Sequence, residues 1–163
     1  MQKIAKLVSK FICGACQVYP AELFGYSPNE PLITFCLDET TEDNRIWKEY
    51  LQENFNFKLT AENVFLMSIL HELGHHATFP NFTTEEWIEQ ATEKSLQGKN
   101  YPTEKDYFVA YYNLPIEIAA TTWAIKMYNE HRPYMRAWCQ RFNCAIRHYE
   151  KKHKIKNSLL TRL

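Results

Sequence analysis

The stretch TAENVFLMSILHELGHHATFP, residues 60–80, decides how the chain is read. Val64 to Leu70 is apolar nearly all round, which suits a helix packed on every side rather than one lying on a surface. Thr60 is placed to cap it, and Glu62 falls in its first turn, where the helix dipole favours an acid. The same helix then carries three histidines and a glutamate: His71, Glu72, His75 and His76. A helix turns about 100° per residue, so His71 and His75 project side by side, as two imidazoles closing on one ion must. Glu72 is rotated by about 100° from His71, too far to chelate with that pair but able to flank the ion. There a carboxylate takes a proton from water that a metal has acidified to a pKa of roughly 7. This is the chemistry of H-E-x-x-H on a helix. His76 pairs with Glu72 at the same spacing, but that pair would use the carboxylate as a ligand and leave no base. His76 is therefore assigned to the surroundings of the site or to solvent. Gly74 admits close approach of another backbone or a substrate, at about 1 kcal/mol in helix propensity.

Catalytic zinc usually has three protein ligands and an open fourth position, and this stretch supplies two. Downstream candidates are His131, His148, His153 and the carboxylates. Glu117 stands out in LPIEIAATTWAIKMY, where Pro115 suits a helix start. Ala120, Thr121 and Ala124 follow it at helical spacing, and small residues let two helices approach closely enough for a carboxylate to reach an ion on the other. The alternatives are an exposed first-turn Glu117, favoured by the dipole, and His131 as the ligand instead. His148 and His153 lie in a basic segment and read as solvated.

HELGHH followed by E-x-x-A-T-x-W-A resembles the zincin metallopeptidases whose third ligand is a glutamate. It is most similar to the ImmA/IrrE-type metallopeptidases of bacteria and mobile elements, whose second motif reads roughly E-x-x-A-N-x-F-A. Glu117, Ala120, Thr121, Trp123 and Ala124 carry that second match. The resemblance implies Zn2+ at His71, His75 and Glu117, with Glu72 as general base. Thr121 stands where thermolysin-like enzymes place an acid, so the sequence leaves the partner of a ligand histidine unnamed. Zincin-like domains also occur in anti-restriction proteins of plasmids and phages. They supply a second reading, a binding protein that keeps scaffold and metal without proteolysis.

Peptide hydrolysis also needs a donor for the oxyanion, and Tyr101, Tyr107, Tyr111 and Tyr112 just before the Glu117 helix are candidates. Cys13 and Cys16 form a CxxC, with Cys139 and Cys144 far downstream. The latter two are five apart on a helix, roughly 140° around it, and would not converge on a shared zinc while helical.

The rest of the chain is read as further helices and little else. Ile4, Leu7, Val8, Phe11, Ile12 and Ala15 make an amphipathic stripe, with Lys3, Lys6 and Lys10 off it. YPAELFGYSPNEP is Pro/Gly-punctuated, and PLITFCLD reads as a short strand. Thr41 can cap a helix bearing Ile46, Trp47, Tyr50 and Leu51, and Thr83 with Glu86 forms a capping box for a surface helix ending near Gly98. Three more helices follow, the last with Met135, Trp138, Cys139, Phe142, Ile146 and Tyr149 as its buried stripe. At 163 residues and 45% hydrophobic, residues 1–163 form one domain with a single core. The expected fold is α+β: a mostly helical zincin-like domain with a small β-sheet and HExxH on a central buried helix. No apolar run approaches the ~20 residues that span a bilayer. In MQKIAKLVSKFICGAC, Lys10 breaks what would be the apolar region of a signal peptide. Five cysteines without a disulfide-framework spacing suggest a reducing, cytoplasmic setting. Net charge is zero but uneven: residues 131–163 carry nine Lys/Arg against one acid, leaving −8 on residues 1–130. The expected function is a zinc metallopeptidase acting on a protein or peptide, with no membrane association. A nucleic-acid-binding module on the basic C-terminal segment is the remaining alternative.

Overall fold

A computed structural model describes residues 1–37, 41–91, 96 and 99–155. Helix α1 (Gln2–Phe11) leads into a three-stranded sheet of β1 (Gln17–Pro20), β2 (Gly25–Ser27) and β3 (Leu32–Phe35). Six helices follow: α2 (Thr41–Phe55), α3 (Val64–Thr78), α4 (Thr84–Ala91), α5 (Glu104–Tyr112), α6 (Pro115–Glu130) and α7 (Arg132–His153), with a short 3-10 turn at Phe79–Asn81. The fold is thus the mostly helical α+β arrangement expected. No helix among the described residues is long and apolar enough to cross a membrane.

The apolar run of residues 64–70 places α3 at the centre, with Val64 to Leu70 all buried. Phe65 shows how it is enclosed: its ring meets Phe24, Phe35 from β3 and Phe142 from α7 at 5.2–5.9 Å. On α7 the expected stripe is buried from Met135 to Ile146, with Tyr149 half-buried at its end. The sheet order is β1-β3-β2, β3 pairing parallel with β1 and antiparallel with β2. Ile33 and Phe35 alternate into the core while β1 remains an exposed edge, the place where Pro20 is tolerated.

Several boundaries differ from the sequence reading. The stripe of α1 runs on to Ala15, yet the helix ends at Phe11 because Cys13 (φ 53°) and Gly14 (φ 72°) turn the chain in the left-handed region. Thr60 does not cap α3, which begins only at Val64. Its carbonyl accepts from the Asn63 and Val64 amides, closing a turn ahead of the helix, and its own N–H donates to Asn63 Oδ1 at 2.7 Å. Glu62 therefore precedes the helix rather than lying in its first turn. Thr41 is the first residue of α2, not a residue before it. The region 19–31, read as irregular, contains part of β1 and all of β2. The Thr83–Glu86 box is present, and Thr103 with Asp106 forms a second one on α5. Gly98 lies outside the described residues.

Candidate metal centre

Glu117 reaches α3 because the two helices nearly touch. A Cβ built on Gly74 would stand 2.5 Å from the Ala120 carbonyl oxygen, so only glycine admits α6 at this depth. On the α6 side the contact strip is Ala120, Thr121 and Ala124, each 3% exposed or less. Pro115 at the helix start then puts Glu117 in the first turn, facing α3. Glu117 is 2% exposed, so it is not a solvated first-turn acid.

The glutamate lies between the two histidines. Its Oε2 is 2.9 Å from His71 Nε2 and 3.5 Å from His75 Nε2. Ligand atoms of His71, His75 and Glu117 all lie within 4.8 Å of one another, the one such group among the described residues. Burial opposes a charge on Glu117, but the charge of His75 and hydrogen bonds from both imidazoles outweigh it and hold the carboxyl well below the usual range.

The other ring nitrogens are held differently. His71 Nδ1 is 3.1 Å from the buried Thr121 hydroxyl, one turn past Glu117 on the same face of α6. When a cation replaces the hydrogen bond to Glu117, a ring proton on Nδ1 lets His71 donate to that hydroxyl and turn the lone pair of Nε2 inward. The partner that the sequence left unnamed is thus a hydroxyl standing where an acid was looked for. His75 Nδ1 is buried and has no hydrogen-bond partner among the described residues. Aromatic rings flank this imidazole instead: Tyr26 from β2 is stacked at 6.4 Å and 10°, and Trp87 from α4 stands edge-on at 5.4 Å. Trp47 does the same for His71 at 6.0 Å.

The donor set fits a small divalent metal. Inward lone pairs on two imidazoles and a carboxylate oxygen repel at this separation unless a cation or a proton lies among them. Ligands of a tetrahedral ion at roughly 2.0–2.1 Å stand about 3.3 Å apart, and the 2.9 and 3.5 Å separations straddle that figure.

Glu72 is buried too, but on another side. It and His71 line a cleft of about 230 Å³ that His75 and Glu117 do not reach. Trp47 and the α5 residues Tyr107, Phe108, Tyr111 and Tyr112 also line it. Three of the four candidate tyrosines are therefore at the cleft. Tyr101 is not: it packs on Tyr107 at 5.5 Å, and its hydroxyl is buried without a partner among the described residues. Tyr50 secures the approach of α5 and α6 by donating to the Tyr112 carbonyl at 2.8 Å. His76, assigned to the surroundings, meets the Tyr26 hydroxyl at 3.0 Å, so the ring stacked on His75 is tethered by its neighbour. Burial pushes the Tyr26 phenol up to about 12, with a smaller contribution from Cys16, and it stays neutral.

The competing ligands are elsewhere. His131 ends α6, about 20 Å along the helix from Glu117, and is exposed. His148 and His153 are exposed on α7. All five cysteines are free, and Cys13, Cys16, Cys139 and Cys144 form no metal-binding group. Sequence reasoning missed Tyr26, Trp47 and Trp87. Each lies far along the chain from the histidine it flanks, and no periodicity links them. Compared with known proteins, the chain matches no family model, no curated protein and no solved structure.

Proposed function

We propose that this chain is a zinc metallopeptidase-like hydrolase that cleaves peptide bonds with water. The observation that carries this reading is the buried convergence of His71, His75 and Glu117, with the Glu72 carboxylate beside His71 on the cleft wall. The likeness of HELGHH and the Glu117 motif to the ImmA/IrrE-type zincins supports it further. Zn2+ held by the three residues would supply Lewis acidity, polarising a carbonyl and lowering the pKa of water to roughly 7. Glu72 takes the proton of the attacking water on its carboxylate and returns it to the leaving amine. Thr121 fixes the ring of His71, and Tyr26 with Trp87 fixes that of His75. The aromatic wall suits an apolar side chain of the substrate, and Tyr107, Tyr111 and Tyr112 are the candidates for an oxyanion donor.

Glu72→Gln tests this against a protein that keeps the metal only for binding. The variant is expected to hold as much zinc as wild type, by elemental analysis, and to hydrolyse a quenched-fluorescence peptide library roughly 10²–10⁴-fold more slowly. Zinc-loaded wild type that cleaves no peptide would favour the binding protein. Undiminished cleavage by the variant would remove Glu72 as the base.

A further inference from the structure

The cations of this chain gather on a face that the metal centre does not use. Lys3, Lys6 and Lys10 of α1 are exposed, as are Arg132, Arg136, Arg141, Arg147, Lys151 and Lys152 of α7. Packing of the α1 stripe joins the two sets. Phe11 at the end of α1 meets Trp138 and Phe142 at 5.3 and 5.8 Å, while Met1 at its start lies near Lys152. The helices therefore run antiparallel, and the α1 lysines lie alongside α7.

Two grooves flank α7. One, between α1 and α7, has a volume of about 960 Å³ and is lined by Lys3, Lys6, Lys10, Arg141 and His148 without an acid. The other, between α7 and the chain preceding α3, is also about 960 Å³ and holds Lys58, Arg132, Arg136 and Arg147 against the single acid Glu62. Gln140 and Cys144 border both grooves, so the outer face of α7 is the ridge between them. Its crest reads Arg136, Gln140, Cys144, Arg147, Lys151 at helical spacing, over about 22 Å. Among the described residues, the ion pairs Arg45–Glu49 and Lys105–Glu49 lie away from this face.

We propose that the crest of α7 enters the major groove of duplex DNA, with α1 and Lys58 holding the phosphates on either side. A helix of about 10–12 Å diameter fits a major groove about 12 Å wide, whereas the deep, narrow major groove of RNA excludes it. Arginine and glutamine are the side chains that read guanine and adenine edges there. A cationic groove on each side of a cationic ridge matches two phosphate strands bordering one groove. An acidic protein fits less well, because the crest has no large apolar side chain to bury at an interface. Of the exposed large hydrophobics, only Tyr134, at the start of α7, is on that helix.

The test is fluorescence anisotropy of a labelled duplex of about 20 base pairs, two helical turns, with the full chain between about 50 and 200 mM salt. Binding should fall steeply with salt, by about 0.9 in the log–log slope for each phosphate engaged. The double variant Arg136→Glu/Arg147→Glu should bind at least ~10-fold more weakly at low salt, with a slope shallower by about two. Both positions are exposed, so its circular dichroism and zinc content should match wild type. Lys126→Glu, on the exposed face of α6, should leave binding unchanged. Absence of binding at low salt, a flat salt dependence, or an unaffected double variant would each overturn the proposal. Displacement of the duplex by polyglutamate at equal charge would also overturn it, in favour of an acidic protein.

Discussion

Helices α3 and α6 meet over buried ionisable groups, whereas α1 and α7 meet over a wholly apolar seam and turn their charges outward. At the first contact His71, His75 and Glu117 are all buried. At the second, Phe11, Trp138 and Phe142 form the seam, and the lysines and arginines are exposed, with the Arg141 guanidinium lying over the Trp138 ring at 5.0 Å. The difference lies in what must answer a charge. An exposed cation is answered by water, so a single one carries almost no information about function. A buried carboxylate or imidazole must be answered by a partner, and for Glu117 and His71 the partners can be named from the geometry. The candidate metal centre therefore rests on three residues, while the cationic face becomes informative only as an arrangement across two helices.

The most drastic way to break the buried contact is Glu117→Ala. Wild type purified with zinc should carry about one ion per chain, and the variant under about a tenth of that. Chelation should then lower the Tm of wild type by roughly 5–10 °C, the linkage expected when zinc exceeds its Kd about 100-fold, and leave that of the variant unmoved. A variant that keeps its zinc would deny Glu117 the role. Next in size is Gly74→Ala. Helix propensity alone predicts a gain of about 1 kcal/mol. The 2.5 Å approach to the Ala120 carbonyl predicts the opposite, an overpacking cost of about 1–3 kcal/mol, with α6 displaced and zinc binding weakened. Denaturant midpoints decide between them, and a stabilised variant with full zinc content would mean that the helices do not meet this closely. The matching change on the other pair, Ala137→Ser on the exposed face of α7, should stay within about 0.5 kcal/mol.

The same contrast explains what could be read from the sequence. The central helix, its histidine pair and the candidacy of Glu117 were legible because burial on all sides and close helix packing leave marks at fixed spacing: an apolar run, a glycine, a row of small residues. The sequence already preferred Glu117 to His131, and the packing of α6 brings the Glu117 end of that helix against α3. Strands β1 and β2 were not legible. They are four and three residues long, contain Pro20 and Gly25, and draw their order from pairing with β3 rather than from their own pattern. Ala15 and Thr60 show how boundaries fail: a stripe or a cap residue marks where a helix can extend, while backbone reversal and turn closure decide where it stops. The aromatic rings around His75 were beyond reach for a similar reason, because Tyr26 arrives from the sheet and Trp87 from a surface helix. The basic C-terminal segment was visible as charge, but its junction with the α1 lysines exists only through the packing of Phe11.

The finest division lies within the buried contact itself, between a histidine held by a hydrogen bond and one flanked by rings. Thr121→Val keeps the shape of the side chain and removes the hydroxyl that meets His71 Nδ1. That nitrogen is then unpaired in a buried site, which should cost about 1 kcal/mol of stability. With the ring free to choose its tautomer, zinc affinity should fall roughly 10–100-fold, the usual effect of losing a partner behind a metal-bound histidine. Thr121→Ser restores the hydroxyl and should recover most of the affinity despite its smaller volume, which a purely packing role for Thr121 would not allow. Competition with a zinc chelator of known affinity measures all three proteins. Equal affinities would mean that ring packing alone orients both imidazoles, His75 being the one whose Nδ1 has no hydrogen-bond partner among the described residues.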